Sequence, residues 1–319
     1  MITYTPSSMP AIRPVTAPLA LPPWVAAWAM LCLLALPAGV LGEIRVSDDA
    51  GRDILLDGPA QRVVSLSPHL TEILFHVGAG EQVVGTVSFS DFPEAATRIP
   101  VVGSAGQLDL ERILALEPDL VVAWQSGNPA RQVTRLEQLG LTVYYSEPRR
   151  LADLADTLEQ LATLTGLPEI GATRAEALRQ GVLELTRQYA HRPSVPLFYQ
   201  IWDMPLMTIN DEHLIGELIG LCGGHNLFGE LSALVPRLGQ EAVLAADPEV
   251  IVGGGSGEDN RAWVEDWRRW QGLTAVQRDN LFFIPPSLIQ RQTPRILEGA
   301  ALLCEQLELA RQRRPGSDQ

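Results

Sequence analysis

The polar side chains that could do chemistry are scattered along the sequence and match no common catalytic pattern. It contains no nucleophile elbow, no P-loop lysine and no pair of histidines at metal-binding spacing. A transition-metal site needs several converging ligands, and the positions of the five histidines predict none: His69, His76, His191, His213 and His225. The glycine-rich run at 253–257 lacks the rest of a phosphate-binding fingerprint and is interpreted as a flexible turn. The sequence therefore predicts no enzyme, no metal site and no resident cofactor.

Four side chains near the ends of predicted strands are candidates for contact with a ligand. His69 lies where the first strand of a predicted sheet meets its helix, and ligands of open α/β sheets bind beyond the carboxyl ends of strands. A helix-capping or solvated histidine is the alternative. Phe89, Trp124 and Trp202 lie at or just beyond strand ends, where they could line an apolar cleft. Core packing is the alternative for each ring.

A segment of helix, turn and strand occurs twice. Residues 109–122 align without a gap with residues 239–252, so that Glu111 corresponds to Glu241 and Pro118 to Pro248. In each copy an apolar helical face precedes the proline, and a strand that is apolar on both faces follows it. The duplication predicts two similar lobes, each with a parallel sheet, although this pattern is frequent enough in α/β proteins for coincidence to be the alternative.

The remaining elements alternate as a parallel sheet requires. Around the first copy we predict a hairpin at 44–56, strands at 62–66, 83–87, 120–123 and 142–145, and helices at 69–77, 129–139 and 151–165. Around the second copy we predict strands at 197–201 and 282–284, a turn at 222–224, and helices at 213–220 and 293–311. A helical pattern at 168–189 separates the two copies.

Composition and charge limit the class of protein. The chain has 319 residues, of which 46% are hydrophobic and 19% charged, as in ordinary folded proteins. Its net charge of -14 argues against binding to nucleic acid or to an anionic membrane surface. All 24 basic residues are arginine and none is lysine. Apart from any histidine pair, the positive partner in each side-chain ion pair is therefore a guanidinium group.

The N-terminal region is typical of an exported protein. Residues 24–41 carry no charge and end among small residues, which predicts a signal peptide cleaved after Gly42. An uncleaved membrane anchor is the alternative. Cys32 follows the bulky Leu31 and is a poor site for lipid attachment. After cleavage Cys222 and Cys304 remain, and an even number of cysteines in an oxidising compartment indicates a disulfide, with two buried thiols as the alternative.

Several motifs, taken together, resemble one family. They are Arg62–Pro68, Thr71-Glu72, Val87–Pro93, Leu110–Ile113, Pro118–Val121, Gly127-Asn128, Arg131–Val133, Cys222–Gly224 and Pro294-Arg295. In order and spacing they resemble the class III, helical-backbone solute-binding proteins of cobalamin importers, over about residues 62–310.

The resemblance implies two Rossmann-like α/β lobes with parallel sheets, joined by a single long helix. Its expected segments are a signal peptide at 1–42, an N-terminal lobe at 43–166, a linking helix at 167–191, a C-terminal lobe at 192–313 and a tail at 314–319. It implies a monomer that binds cobalamin or a related corrinoid and docks on the permease dimer of an ABC importer with its ATPase subunits. A haem or ferric-siderophore carrier of the same fold, an exported chelatase-like enzyme and a membrane-anchored scaffold are the alternatives.

The resemblance also assigns residues. Phe89 stands where the family has a ligand-contacting tyrosine, and Ala105 where it has a pocket tryptophan. Glu111 and Glu241 fall on the two glutamates that dock on the permease, and the family's disulfide maps onto Cys222 and Cys304. A ligand-contacting segment of the family falls on residues 287–291 of this chain. Its acidic and aromatic character is absent from the first four residues, which are Ser287, Leu288, Ile289 and Gln290. Arg291 is the best candidate to bind an amide side chain of the ligand.

Overall fold

The computed structural model describes residues 42–254 and 257–316. The expected signal peptide, including Cys32, lies outside the described residues except for Gly42. Within the two described ranges, no helix combines the length and the apolar character that are needed to span a membrane.

Strands and helices alternate along most of the described chain. The strands are β1 Ile44–Ser47, β2 Asp53–Leu56, β3 Val63–Ser65, β4 Val83–Gly85, β5 Gly103–Ser104, β6 Gln107–Leu108, β7 Leu120–Trp124, β8 Val143–Ser146, β9 Val195–Gln200, β10 Gly224–Asn226, β11 Val250–Gly253 and β12 Leu281–Phe283. The helices are α1 Pro68–His76, α2 Leu110–Ala115, α3 Ala130–Gln138, α4 Leu151–Leu164, α5 Pro168–Tyr189, α6 Leu214–Leu221, α7 Gln240–Ala246, α8 Ala262–Glu265, α9 Thr274–Gln277, α10 Pro286–Ile289 and α11 Ile296–Gln312. Single turns of 3₁₀ helix lie at Gly80–Gln82, Glu94–Arg98 and Asp266–Arg269.

Two four-stranded parallel sheets form the centres of two lobes. Their strand orders are β4-β3-β7-β8 and β10-β9-β11-β12, so in both sheets the first strand lies between the second and the third. The β7 residues Leu120 to Ala123 and all of β11 are buried, because helices cover both faces of each sheet. The predicted fold class of two α/β lobes is confirmed, whereas the exact lobe boundaries stay a prediction.

The two copies of the repeated segment adopt the same structure. The pattern of exposed and buried positions is identical at 111–118 and 241–248, with Ile113 and Val243 buried at equivalent places. Each copy leaves its helix through an acidic residue in the left-handed region, Glu117 at φ 45° and Asp247 at φ 44°. The residue before each proline thus avoids the right-handed helical region and directs the chain into the central strand.

Helix α5 joins the lobes through one continuous hydrophobic core. Its inward face first places Gly171, Ala175 and Leu178 in the buried core. The same face continues with the partly buried Val182 and Leu185. This spacing of three and four residues is that of one helical face. The buried cluster on this face extends from Ile54 in the N-terminal region to Ala310 in the last helix, so the two sheets belong to one packed body.

The short elements differ most from the sequence prediction. The hairpin β5–β6 and the helices α8, α9 and α10 were not expected, and Gly224, expected in a turn, begins strand β10. Elements of two to four residues have too few positions to show a period of 2 or 3.6, so patterning cannot detect them.

A disulfide joins Cys222 and Cys304, as the sequence implied. It connects the end of α6 to the middle of α11, and both cysteines are fully buried. Arg311 strengthens the same junction, because its guanidinium donates hydrogen bonds to the carbonyls of Cys222 at 2.8 Å and Gly223 at 3.1 Å.

Replacing both cysteines by serine should lower the free energy of unfolding by about 4 kcal/mol, because the bond closes a long loop in the unfolded chain. Urea unfolding of the wild type and the Cys222→Ser/Cys304→Ser variant measures the difference, and the wild type under reducing conditions should match the variant. Two free thiols in non-reducing mass spectrometry of the wild type would contradict the prediction.

Candidate functional site

The predicted ligand residues of the N-terminal lobe lie along the carboxyl edge of its sheet. His69 follows β3, Trp124 is the last residue of β7 and Phe89 follows β4. The His69 and Trp124 rings are 5.3 Å apart between centroids and meet edge to face at 88°. Asn128 holds the ends of the two central strands together, since it accepts from the Trp124 amide at 2.7 Å and donates to the Leu66 carbonyl at 2.8 Å.

His69 is a buried, neutral imidazole. The residue is only 4% exposed, and its Nδ1 atom lies 2.6 Å from the Ser67 hydroxyl oxygen. Burial, followed by the positive charge of Arg291, lowers the pKa of His69 to about 3. The Nε2 atom has no hydrogen-bond partner within the described part of the protein. The alternative of a solvated histidine is therefore wrong, whereas contact between His69 and a ligand stays a prediction.

Phe89 presents its ring to solvent from an unusual backbone position. The residue is 79% exposed, and its φ of 68° places it in the left-handed region. Bulky side chains rarely adopt this conformation, and the surrounding structure must support it. The next residue, Ser90, is anchored by its hydroxyl, 3.2 Å from that of Thr71 in α1. Core packing is therefore excluded as the reason for an aromatic residue at position 89.

The C-terminal lobe offers a second set of residues at the carboxyl edge of its sheet. Trp202 follows β9, is 49% exposed and packs edge to face against Trp263 with ring centroids 5.3 Å apart. The indole N–H of Trp202 donates to the carbonyl of Met204, whose own side chain is 83% exposed. Trp263 and Met204 were not predicted for this site, because neither lies in a recognisable motif.

The five residues 287–291 follow β12 and divide between the lobe interior and the lobe boundary. Ile289 is buried in the core and Leu288 packs against that core. The Ser287 hydroxyl donates to Glu258 at 2.6 Å, and the Gln290 amide lies 3.5 Å from the buried Tyr199 hydroxyl. Arg291 reaches the other lobe, where it binds Asp91.

Two arginines bridge the lobes beside the exposed rings. Arg291 donates to the Asp91 carboxylate at 2.6 Å and 3.2 Å, which lowers the pKa of Asp91. Arg295 binds both carboxylate oxygens of Glu72 at 2.7 Å each. Sequence reasoning identified Asp91, Glu72 and Arg295 only as motif residues, since nothing in a sequence pairs positions that are 200 or 223 residues apart.

The two bridges differ in their exposure to water. The Glu72 and Arg295 side chains are 3% and 18% exposed, whereas those of Asp91 and Arg291 are 58% and 20% exposed. Separating a buried, bidentate pair leaves an uncompensated charge and is costly, whereas an exposed carboxylate is readily hydrated. The Glu72–Arg295 bridge is therefore the stronger link between the lobes, and the Asp91–Arg291 bridge is the weaker of the two.

The two glutamates expected to dock lie in the first turns of α2 and α7. Glu111 and Glu241 are both exposed. A surface depression beside Glu111 is lined by Gly103, Ser104 and 107–111. Among the described residues, no group of three or more histidine, cysteine or acidic side chains is placed to hold a metal ion.

Comparison with known proteins adds three findings. A family described as "Periplasmic binding protein" matches residues 63–288. The vitamin B12-binding protein of Vibrio cholerae serotype O1 is 36% identical over 253 residues, which are 79% of this chain and 91% of the relative. The crystal structure of the periplasmic vitamin B12 binding protein of Vibrio cholerae superposes with a TM-score of 0.73 at 36% identity, over 79% of this chain and 98% of that one.

A more distant structure shares the fold alone. The periplasmic heme-binding protein of Roseiflexus sp. RS-1 has a TM-score of 0.68 at 23% identity, over 79% of this chain and 99% of its own. The same two-lobed architecture thus carries different ligands, so the fold by itself does not identify the ligand.

The buried His69 predicts how stability depends on pH. Its pKa of about 3 in the fold is lower than the value of 6.5 expected in the unfolded chain, so the unfolded state binds more protons between these values. The contribution of His69 to the free energy of unfolding is therefore largest above pH 6.5 and falls as the pH is lowered toward 3. In His69→Gln, the loss between pH 7.5 and pH 5 should be smaller than in the wild type by about 2 kcal/mol.

Urea unfolding at several pH values measures this difference, and the exposed His191→Gln controls for the loss of an imidazole. The same pH dependence in wild type and His69→Gln would show that His69 accepts a proton within the fold.

Proposed function

The chain belongs to the periplasmic binding protein family, and we propose that it captures cobalamin or a related corrinoid between its two lobes and delivers it to an inner-membrane ABC importer. The observation that carries the proposal is the pair of exposed rings, Phe89 and Trp202, at the carboxyl edges of the two sheets. The 36% identity to the Vibrio cholerae vitamin B12-binding protein supports a corrinoid as the ligand. The family is one of binding proteins, not of enzymes.

The geometry suits a large ligand with an extended apolar surface. Macrocycles bury well against aromatic rings, and binding sites of this kind combine much apolar surface with few polar groups. Phe89 and Trp202 supply rings from opposite lobes, and Trp124, packed on His69, supplies a firm floor between the strand ends. Part of the predicted ligand segment lies in the lobe core and supports the site from there rather than by contact with the ligand, as the buried Ile289 does.

Transport and location belong to the same proposal. The apolar run at 24–41 and the Cys222–Cys304 disulfide support an exported protein in the periplasm. The partner would be a permease dimer with its ATPase subunits, and the carrier would act as a monomer.

Two equivalent carboxylates support docking on a two-fold symmetric partner. Glu111 and Glu241 occupy the same position in two segments with the same burial pattern. Arginines on each half of a permease dimer could bind them in bidentate fashion. A favourable interaction with the helix dipole would explain either glutamate alone, at about 0.3–1 kcal/mol, but not the same exposed position in both lobes.

Removing the Phe89 ring should weaken corrinoid binding by more than about tenfold, since a buried aromatic contact of this size is worth at least ~1.4 kcal/mol. Calorimetric titration of the wild type and Phe89→Ala with cyanocobalamin measures the change. Leu139→Ala serves as the matched control, because Leu139 is 42% exposed but follows α3, next to the start of β8 at the opposite edge of the sheet.

A parallel titration with haemin tests the alternative ligand. Tight binding of haemin with no measurable binding of micromolar cyanocobalamin would reject the corrinoid assignment and leave the fold and the docking proposal intact.

The Glu111→Ala/Glu241→Ala variant should bind ligand as the wild type does and should fail to stimulate the ATPase of the cognate importer in proteoliposomes. Removing both carboxylates takes away the charges that we propose to pair with the permease, while the ligand residues stay in place. The control is Glu81→Ala/Glu230→Ala, which removes one exposed carboxylate from each lobe at other sites. Full stimulation by the first variant would favour the purely local, helix-dipole role.

A further inference from the structure

Residues 89–92 of the N-terminal lobe are held by two arginines of the other lobe. Arg291 binds the Asp91 carboxylate and also lies 3.4 Å from the carbonyl oxygen of Phe89. The Arg295 guanidinium lies 3.9 Å above the centre of the Phe92 ring, in cation–π geometry, while it binds Glu72. Three of the four residues in this segment are therefore contacted from across the lobe boundary.

The backbone of Phe89 needs such support. A left-handed conformation is unfavourable for a bulky residue, and at 79% exposure its ring gains little from packing in the ligand-free protein. Within its own lobe, the segment is fixed after Phe89 by the Ser90 amide, which donates to Val87 at 3.2 Å, and by the Ser90 hydroxyl near Thr71. The Phe89 carbonyl itself is contacted by Arg291.

We propose that Arg291 is a positioning residue for the ligand site, which holds Phe89 in its left-handed conformation and so presents the Phe89 ring to the cleft. It does this from the opposite lobe, through the Phe89 carbonyl and the Asp91 carboxylate two residues further along. This inference rests on the proposed function and assigns Arg291 a role other than direct contact with an amide of the ligand. The N-terminal wall of the ligand site is then complete only while the C-terminal lobe grips it.

A mutant cycle separates positioning from direct contact. Arg291→Ala should weaken cyanocobalamin binding by about tenfold, because the Phe89 ring is no longer held in place. Asp91→Asn should weaken binding in the same direction, since it removes the charge that anchors Arg291. In a Phe89→Gly background, where the ring is absent and glycine adopts the left-handed region freely, Arg291→Ala should have no further effect.

The opposite results would overturn the proposal. A direct ligand contact by Arg291 predicts that Arg291→Ala weakens binding by the same factor in the wild-type and Phe89→Gly backgrounds. Wild-type affinity in Arg291→Ala would show that Phe89 holds its position without help from the other lobe.

Hydrogen exchange of the ligand-free, full-length mature protein tests the grip without any ligand. Arg291→Ala should speed exchange in the peptide that covers 86–93 several-fold. Arg98→Ala is the matched control, because Arg98 follows the same segment but forms an exposed ion pair with Glu94 inside its own lobe, at 3.6 Å. Unchanged exchange in Arg291→Ala would reject the grip. If the wild type binds no corrinoid, the proposed function fails, and the exchange experiment still decides whether Arg291 holds the segment.

Discussion

The packing of helix α5 is the constraint on which the rest of the structure depends. Two glycines let this helix approach both lobes closely. A Cβ at Gly171 would collide with the Ala162 side chain of α4, and one at Gly181 would collide with the Leu297 side chain of α11. Both lobes thus pack against helix α5, one at Gly171 and the other at Gly181, and the hydrophobic core continues across the helix. Because a close-packed core resists deformation, the carboxyl edges of the two sheets keep a fixed position relative to each other.

This fixed relative position of the two sheet edges makes the ion pairs across the lobe boundary possible. Arg295 immediately precedes α11, the helix that packs on Gly181 and that the disulfide fixes to α6. A third polar contact has the same origin, since Glu217 of α6 accepts a hydrogen bond from the Leu151 amide at the start of α4, at 2.9 Å. Bidentate ion pairs such as Glu72–Arg295 require side chains placed within fractions of an ångström, which a flexible hinge would not provide. The rigid packing of the lobes and the polar bridges between them therefore depend on each other. Small movements of the side chains cost least at the exposed Asp91–Arg291 pair.

Much of this architecture could be predicted from the sequence, because it depends on local patterns. The gap-free repeat indicated two lobes, and the apolar runs before and after each proline indicated the central helices and strands. The short elements escaped prediction for lack of a period. The candidate site was predicted only in part: strand ends identified Phe89, Trp124 and Trp202, but the bridging of Arg291 to Asp91 depends on tertiary structure. The left-handed backbone of Phe89 could not be predicted from the sequence either, since glycine or asparagine normally occupies such a position.

The near-identity of the two repeated segments has a geometric consequence for association. Glu111 and Glu241 follow the same pattern of exposure, and each copy leaves its helix through an acidic residue with φ near 45°. A partner built of two halves related by a two-fold axis presents the same local surface twice, so one contact geometry would suit both repeated segments. A duplicated segment thus lets a single set of contacts be used at two separate places on one chain.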